Sequence, residues 1–143
     1  MPTRTAEATW NGDLFKGKGN VKLGSGAYSG PYSFQSRFES GAGTNPEELI
    51  GAAHAGCYSM ALAAGLSKAG KVPTSVHTTA KVHIDKQGDG FAITSIDLDC
   101  EAVVPNIDNA EFQKAAEATK SGCPVSKALS ATKINLKATL KNA

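Results

Sequence analysis

A chain of 143 residues in which 41% are hydrophobic can bury a core of its own, and we expect a single domain over residues 1–143. The net charge of +2 and the absence of a Lys/Arg cluster argue against a nucleic-acid partner. The opening sequence MPTRTAEATW has no apolar segment of a secretion signal, so we expect a cytoplasmic location in which the three cysteines are reduced.

Glycine-rich turns divide the first forty residues into short segments. Residues 3–10 alternate loosely, which predicts an edge strand, and a return strand follows around Val21 and Leu23. Residues 32–38 (YSFQSRF) alternate between mostly aromatic and polar side chains. This pattern predicts another strand, with Arg37 on its polar face.

The stretch from Asn45 to Gly70 predicts one long helix. Asn45 is a good N-cap, Pro46 suits the first helical position, and Gly70 is a suitable stop. No charged residue lies between Glu48 and Lys68. A helix without a charged stripe is typically buried, so we expect this helix to be buried nearly all round.

The same uncharged run approaches the length that crosses a bilayer. His54, Ser59 and several glycines dilute it and reduce its tendency to enter lipid. We therefore interpret it as the central helix of a soluble domain that has no membrane partner.

The chain beyond this helix predicts a long β-hairpin. Residues 76–85 and 91–104 carry alternating apolar side chains, and the glycine-containing segment 87–90 joins them. The alternation shifts phase near Ser95, which indicates a bulge.

The last forty residues predict two helices and a strand. Asp108 or Asn109 caps a helix that ends at Gly122, a short helix follows from Cys123 to Leu129, and residues 133–140 alternate as a strand. Strands, a long helix, a hairpin, more helix and a strand make an α+β domain.

Cys123 has the most specific chemical signal. Pro124 suits the first position of a helix, which makes Cys123 the N-cap, and a thiolate there faces free backbone N–H groups that lower its pKa. Two interpretations stay open for this residue alone: a reactive thiol, or a small inert residue in a turn.

Cys57 alone is better explained as a small hydrophobic residue of an Ala-rich helix. His54, one turn earlier, shares its face and could bond to it, although a satisfied buried histidine is the simpler interpretation. His54, Cys57 and Cys123 are only three ligands without a metal-binding spacing, so no metal is expected. Cys100 lies in an apolar strand and is assigned to the core.

Arg37 and Glu47 form a second candidate constellation. Glu47 lies in the first turn of the long helix, where the helix dipole favours a carboxylate. The two residues are either solvated charges that contribute little, or a pair in which Glu47 holds the guanidinium of Arg37 towards a thiol.

Two motifs together carry a resemblance to a known family. The segment TNPEELIGAAHAGCYSMAL (residues 44–62), with GCPVS at 122–126, resembles the OsmC/Ohr family of thiol-dependent hydroperoxide peroxidases. The likeness includes Trp10, Gly12 and Asp13 near the start and the segment PYSFQSRF. The resemblance implies an OsmC-like α+β fold, with antiparallel sheets wrapped around a long central helix, in an intertwined homodimer.

The resemblance also implies a reaction. Organic hydroperoxides, and hydrogen peroxide less efficiently, are reduced without a cofactor as part of oxidative or osmotic stress defence. Cys57 is the peroxidatic cysteine that becomes a sulfenic acid, Cys123 is the resolving cysteine that forms a disulfide with it, and Arg37 and Glu47 support the thiolate. An external dithiol, with lipoyl groups as the implied source, restores the thiols.

The scheme requires the short third helix to bring Cys123 against the middle of the central helix. No role for His54 follows from the family. Two alternatives stay open: a thiol redox sensor of the same fold, and a carrier of small hydrophobic ligands in which the cysteines are incidental.

Overall fold

The structure, a computed structural model, describes residues 1–142. The chain forms two compact units, one over Met1–Leu49 and the other from Ile50 onwards. The long helix begins in the first unit, and its residues from Ile50 to Lys68 belong to the second.

The first unit contains a three-stranded antiparallel sheet. Its strand order follows the chain, and Gly26, with a φ of +82°, lies in the turn between the second and third strands. The first two strands confirm the sequence prediction. The strands are β1 (Ala6–Asn11), β2 (Lys18–Leu23) and β3 (Ser29–Tyr32).

The strand predicted over residues 32–38 was wrong, because β3 ends at Tyr32 and a short helix, α1 (Phe34–Phe38), follows. Ser33 caps this helix: its hydroxyl accepts a hydrogen bond from the Ser36 N–H at 3.1 Å, and the Ser36 hydroxyl accepts one from the Ser33 N–H at 2.8 Å. This reciprocal pair is a capping box. Phe34 and Phe38, four residues apart, stack at 5.0 Å between ring centroids on one face of the helix.

The long helix, α2 (Pro46–Lys68), ends where the sequence predicts. The Asn45 side chain accepts a hydrogen bond from the Glu48 N–H at 2.8 Å. At the other end Gly70 adopts a φ of +77°, and the Lys71 N–H donates to the Leu66 carbonyl at 2.8 Å. A glycine in this left-handed conformation ends a helix without steric cost.

The expectation that α2 is buried nearly all round was wrong within this chain. One face is in the core, where Tyr58, Leu62 and Leu66 are at most 1% exposed. The opposite face is open: Met60 is 76% exposed, and nothing lies within 4 Å of a Cβ atom built on Gly56. The helix is long and apolar enough to cross a membrane, but its buried face belongs to the core of the second unit.

The second sheet is mixed. Its strands β4 (Ser75–Gln87) and β5 (Gly90–Val103) form the predicted antiparallel hairpin, and the register shifts between His83 and Ile84, opposite the bulge predicted near Ser95. The last strand, β6 (Lys133–Lys141), pairs with β5 in parallel. The expectation of antiparallel sheets was therefore wrong for this one pair of strands, because a helical crossover returns the chain in the same direction as β5.

That crossover consists of two helices, α3 (Asn109–Gly122) and α4 (Pro124–Ala128), as predicted. Asp108 caps α3 by accepting a hydrogen bond from the Glu111 N–H at 2.8 Å. Phe112, fully buried on α3, completes a core between α2, the crossover and one face of the second sheet. The fold therefore belongs to the predicted α+β class.

Candidate functional site

Two thiols that are 66 residues apart in the chain meet in the second unit. The Sγ atoms of Cys57 and Cys123 are 3.0 Å apart, within hydrogen-bond distance, and both cysteines are free thiols. Cys57 is half-buried in the middle of α2, and Cys123 is fully buried. The short helix α4, which Cys123 caps, thus holds this thiol against the central helix α2, as the proposed disulfide requires.

The junction between α3 and α4 fixes the position of Cys123. Its backbone N–H donates to the Thr119 carbonyl at 3.0 Å as the C-cap of α3, and the same residue is the N-cap of α4. Pro124 occupies the first position of α4, and the Ser126 N–H donates to the Cys123 sulfur at 3.4 Å. The predicted N-cap position is confirmed, and the thiol replaces the usual hydroxyl or carboxylate of such a cap.

Two buried hydrogen bonds hold the crossover against α2 on either side of Cys57. His54 Nε2 lies 2.7 Å from the Ser126 hydroxyl of α4, and the Tyr58 hydroxyl donates to the Ala116 carbonyl of α3 at 2.9 Å. Because His54 and Tyr58 flank Cys57 on α2, the two bonds restrict sliding of α3 and α4 along α2 near this thiol. The sulfur–sulfur distance is therefore set by the packed core.

The surroundings of the two sulfurs favour a negative charge on Cys123. Burial raises the pKa of Cys123, but hydrogen bonds from Cys57, from the Ser126 side chain and backbone, and from the Val125 N–H together bring it below its ordinary value. Burial and the neighbouring Cys123 raise the pKa of Cys57, and a bond from the Val125 N–H only partly offsets this. When one of the two thiols is ionised, these opposite pKa shifts favour the charge on Cys123 and the proton on Cys57.

Arg37 and Glu47 form the predicted pair in the first unit. The guanidinium donates two hydrogen bonds to the carboxylate, from Nε to Oε1 at 2.9 Å and from Nη2 to Oε2 at 3.2 Å. Glu47 is 6% exposed, and the guanidinium also lies over the Phe38 ring at 5.2 Å. Glu47 therefore fixes the orientation of Arg37, whereas a role of that cation towards a thiol stays a prediction.

The start of α2 and the short α1 are tied together, which positions this pair. The Ser36 hydroxyl donates to the Thr44 carbonyl at 2.6 Å, and the Asn45 amide donates to the Ser36 carbonyl at 3.1 Å. Arg37 on α1 and Glu47 on α2 are thereby held on neighbouring elements at a fixed spacing.

Cys100 lies in β5 and is fully buried, which confirms its assignment to the core. Burial raises the pKa of its thiol, although a hydrogen bond with the Thr78 side chain acts in the opposite direction. It is a structural thiol and a useful internal control for the other two.

The family model described as OsmC-like protein matches residues 39–138. The chain belongs to the OsmC family. Both cysteines and the Glu47 position lie inside the matched range, and Arg37 lies just before it.

Named relatives support this membership. The chain is 52% identical over 129 residues to a protein named peroxiredoxin OsmC from Escherichia coli (strain K12), which covers 90% of each chain. It is 34% identical over 102 residues to an organic hydroperoxide resistance protein from Xanthomonas axonopodis pv. citri, covering 70% of this chain and 67% of the relative.

Solved structures show the same fold at lower identity. An OsmC-like protein from Mycoplasma pneumoniae superposes with a TM-score of 0.75 at 17% identity, over 97% of each chain. The organic hydroperoxide resistance protein OhrB of Bacillus subtilis superposes with a TM-score of 0.67 at 24% identity, over 96% of this chain and 98% of its own.

Sequence reasoning missed the role of Ser126 in this OsmC-family chain. It lies three residues after Cys123, the position from which an N3 residue reaches back to its cap. That spacing, with His54 one turn before Cys57, was the available signal. The sequence interpretation of His54 as a satisfied buried histidine holds for Nε2 alone, since its Nδ1 atom has no partner within residues 1–142.

Proposed function

We propose that this protein is a thiol peroxidase that reduces organic hydroperoxides, and hydrogen peroxide less efficiently, with Cys57 and Cys123. The observation that carries the proposal is the 3.0 Å separation of the two free sulfurs inside a packed core. A peroxidatic and a resolving thiol need this proximity, because the sulfenic acid must be captured before a second peroxide reaches it. The names of the relatives support the same reaction class.

The reaction begins when the Cys57 thiolate attacks one oxygen of the hydroperoxide. The O–O bond breaks, the alcohol leaves after taking up a proton, and Cys57 becomes a sulfenic acid. Cys123 then attacks the Cys57 sulfur, a disulfide forms, and the sulfenic oxygen leaves as water. An external dithiol, for which lipoyl groups are the proposed source, reduces the disulfide and is itself oxidised.

Cys57 needs a cation in the first step, since its own surroundings raise its pKa through burial and through Cys123. Arg37, fixed by the nearly buried carboxylate of Glu47, serves as that cation in the proposed enzyme. Its positive charge would favour the Cys57 thiolate and the charge that develops on the leaving oxygen.

The rings around Arg37 support organic rather than purely inorganic peroxides as substrates. Phe34 stacks with Phe38 and also contacts Phe15, at 4.8 Å between ring centroids, and Phe15 is 62% exposed. The exposed Phe15 ring, with the half-buried Phe34 and Phe38 beside it, gives an alkyl or aryl tail an apolar surface to bury.

The active form is proposed to be a cytoplasmic homodimer in which the whole chain acts as one domain. The open face of α2 has no charge, and its side chains are small apart from Met60. An exposed apolar stripe along a long helix is suited to a second copy of the same stripe, because small residues allow close approach and methionine adapts to its neighbours. Its members are Ala52, Ala53, Gly56, Met60 and Ala64.

The decisive experiment is hydroperoxide consumption by the reduced protein, with dihydrolipoamide as the dithiol. We expect repeated turnover with cumene hydroperoxide, slower turnover with hydrogen peroxide, and none in Cys57→Ser. Cys100→Ala is the matched control and should retain turnover. Oxidation of the thiols without repeated turnover would favour the redox sensor, and activity in Cys57→Ser would overturn the proposed chemistry.

A further inference from the structure

His54 is a buried polar side chain that the proposed reaction does not use. It is 0% exposed, it lies one turn before Cys57 on α2, and its Nε2 atom is 2.7 Å from the Ser126 hydroxyl oxygen. Within the described chain, residues 1–142, its Nδ1 atom is buried without a hydrogen-bond partner. Leaving a polar atom unpaired in the interior costs free energy, so an apolar side chain of similar size would fill this space with less destabilisation.

Ser126 connects this histidine to the thiol pair. It is 3% exposed, and its backbone N–H donates to the Cys123 sulfur at 3.4 Å. Burial raises the pKa of Cys123, and the bonds that lower it come from Cys57 and then from the Ser126 hydroxyl and backbone. Ser126 therefore contacts the Cys123 sulfur through its backbone N–H while its hydroxyl contacts His54.

The direction of these bonds follows from counting protons. A serine hydroxyl carries one proton. When it donates that proton to the Cys123 sulfur, its oxygen accepts from His54, which requires the proton of the imidazole to be on Nε2. The other tautomer would bury an N–H at Nδ1 without an acceptor and would turn the hydroxyl proton away from the sulfur.

The histidine is neutral in this site, because burial lowers its pKa. A neutral ring carries one proton, and the Nε2–H form leaves only a bare lone pair at the unpartnered Nδ1. The Nε2–H tautomer therefore leaves fewer buried polar groups without a hydrogen-bond partner than the Nδ1–H tautomer does.

We propose that His54 is a positioning residue for the resolving step, whose Nε2–H fixes the Ser126 hydroxyl so that it donates to the Cys123 sulfur. The catalytic consequence rests on the proposed function. In that step the electron pair of the Cys123 thiolate forms the bond to the Cys57 sulfur, and the S–O bond of the sulfenic acid breaks. The oxygen leaves as water with the proton that Cys123 lost, so His54 and Ser126 are unchanged.

A titration of thiolate ultraviolet absorbance tests the positioning without any turnover. In a Cys57→Ser, Cys100→Ala background Cys123 is the one cysteine of the sequence that is left, so the thiolate transition belongs to it. We expect Ser126→Ala to weaken the ionisation of Cys123 about tenfold, as loss of a hydrogen bond to a charged atom should. His54→Phe should act in the same direction by a smaller factor.

Conservative variants separate positioning from packing. His54→Gln keeps an N–H donor at nearly the same reach and should restore most of the ionisation that His54→Phe loses. Ser59→Ala, on the same helix but bonded to Thr78 at 2.7 Å, is the matched control and should leave Cys123 unchanged. Circular dichroism establishes that each variant is folded, and Ser126→Ala supplies the test if His54→Phe is not.

The kinetic consequence is measured after one pulse of cumene hydroperoxide in protein that retains Cys57. Ser126→Ala and His54→Phe should slow disulfide formation without slowing sulfenic acid formation, and mass spectrometry should detect more Cys57 sulfinic acid. Unchanged ionisation of Cys123 in both variants, or equal behaviour of His54→Gln and His54→Phe, would overturn the inference. If even the unmodified protein fails to reduce hydroperoxide, the proposed function fails while the titration still decides the role of His54.

Discussion

The hydrogen-bond donors around the thiol pair converge on one sulfur. Cys123 is bonded by Cys57, by Ser126 and by backbone N–H groups, whereas Cys57 receives one backbone N–H, from Val125. The second unit therefore favours a thiolate at Cys123 by itself. Ionisation of Cys57, the proposed attacking thiol, needs a further cation, which is the task proposed for Arg37.

Removal of the partner thiol should raise the pKa of Cys123. Burial raises that pKa already, and Cys57 is the first of the groups that lower it. In Cys57→Ala the transition should therefore move to higher pH, by about tenfold in ionisation constant, and less thiolate should be present at neutral pH. Thiolate absorbance against pH measures this, with Cys100→Ala as the control. An unchanged or lower transition would show that the two sulfurs do not share a proton.

Loss of the guanidinium should impair the first chemical step. Arg37→Met keeps much of the side-chain length but removes the charge, and kcat/KM for cumene hydroperoxide should fall by about two to three orders of magnitude. Glu47→Gln should cause a smaller loss, because it weakens the orientation of Arg37 but leaves its charge. Arg4→Met, at an exposed position near the N-terminus, is the control. An unchanged kcat/KM in Arg37→Met would show that Arg37 takes no part in the first chemical step.

At the scale of elements, the short α1 sets the place of that cation. Its five residues are too few to form a stable helix alone, so the cap and the bonds to the start of α2 determine whether it forms. Ser33 and Ser36 supply two of these bonds to each other. The position of the Arg37 guanidinium thus depends on Ser33 and Ser36, which have no role in the proposed reaction.

Deletion of the Ser33 hydroxyl tests this dependence. Ser33→Ala removes the acceptor for the Ser36 N–H and should lower the free energy of unfolding by about 1 kcal/mol. Urea denaturation followed by circular dichroism measures the loss, and Ser130→Ala at an exposed site is the control. If α1 fixes Arg37, peroxide turnover should fall as well. A variant with unchanged stability would show that the capping box is not required.

The elements that sequence predicted correctly are those with strong local signals. The caps at Asn45 and Gly70 and the alternation on both sides of residues 87–90 determine structure within a few residues. The prediction for residues 32–38 was wrong because, over so few residues, the same alternating sequence fits both a strand and a helix capped by serine. The parallel pairing of β6 could not be predicted, since strand direction depends on which strand the crossover returns to.

The site was predictable only in parts. The local motif around Cys123 predicted its N-cap position, whereas the sequence left open whether Arg37 and Glu47 pair or are solvated separately. Contact between Cys57 and Cys123 followed from the family resemblance and not from periodicity, because nothing local relates residues 66 positions apart. The bond between His54 and Ser126 was missed for the same reason.

In the whole molecule, the open face of α2 is apolar surface that the core of this chain does not cover. An uncharged helix with one face in the core and Met60 76% exposed on the other is suited to a partner surface. The proposed occupant is a second copy of the chain.

A charge placed on this face should separate the copies. Met60→Lys introduces a solvated ammonium into the proposed contact, and light scattering after size exclusion should detect half the mass of the parent protein. Val72→Lys, at another apolar site that is 67% exposed but lies outside the helix, is the matched control and should keep the parental mass. A dimer that survives Met60→Lys, or a parent protein that is monomeric, would contradict the proposed assembly.

Peptide mass spectrometry of the reduced protein after one equivalent of cumene hydroperoxide identifies the cysteines that react. We expect a disulfide between Cys57 and Cys123 within one chain, a free Cys100, and one molecule of cumyl alcohol per disulfide. In Cys123→Ser the same treatment should leave a sulfenic acid on Cys57. A disulfide that includes Cys100, or a sulfenic acid on Cys123 with Cys57 still reduced, would contradict the assigned roles of the two thiols.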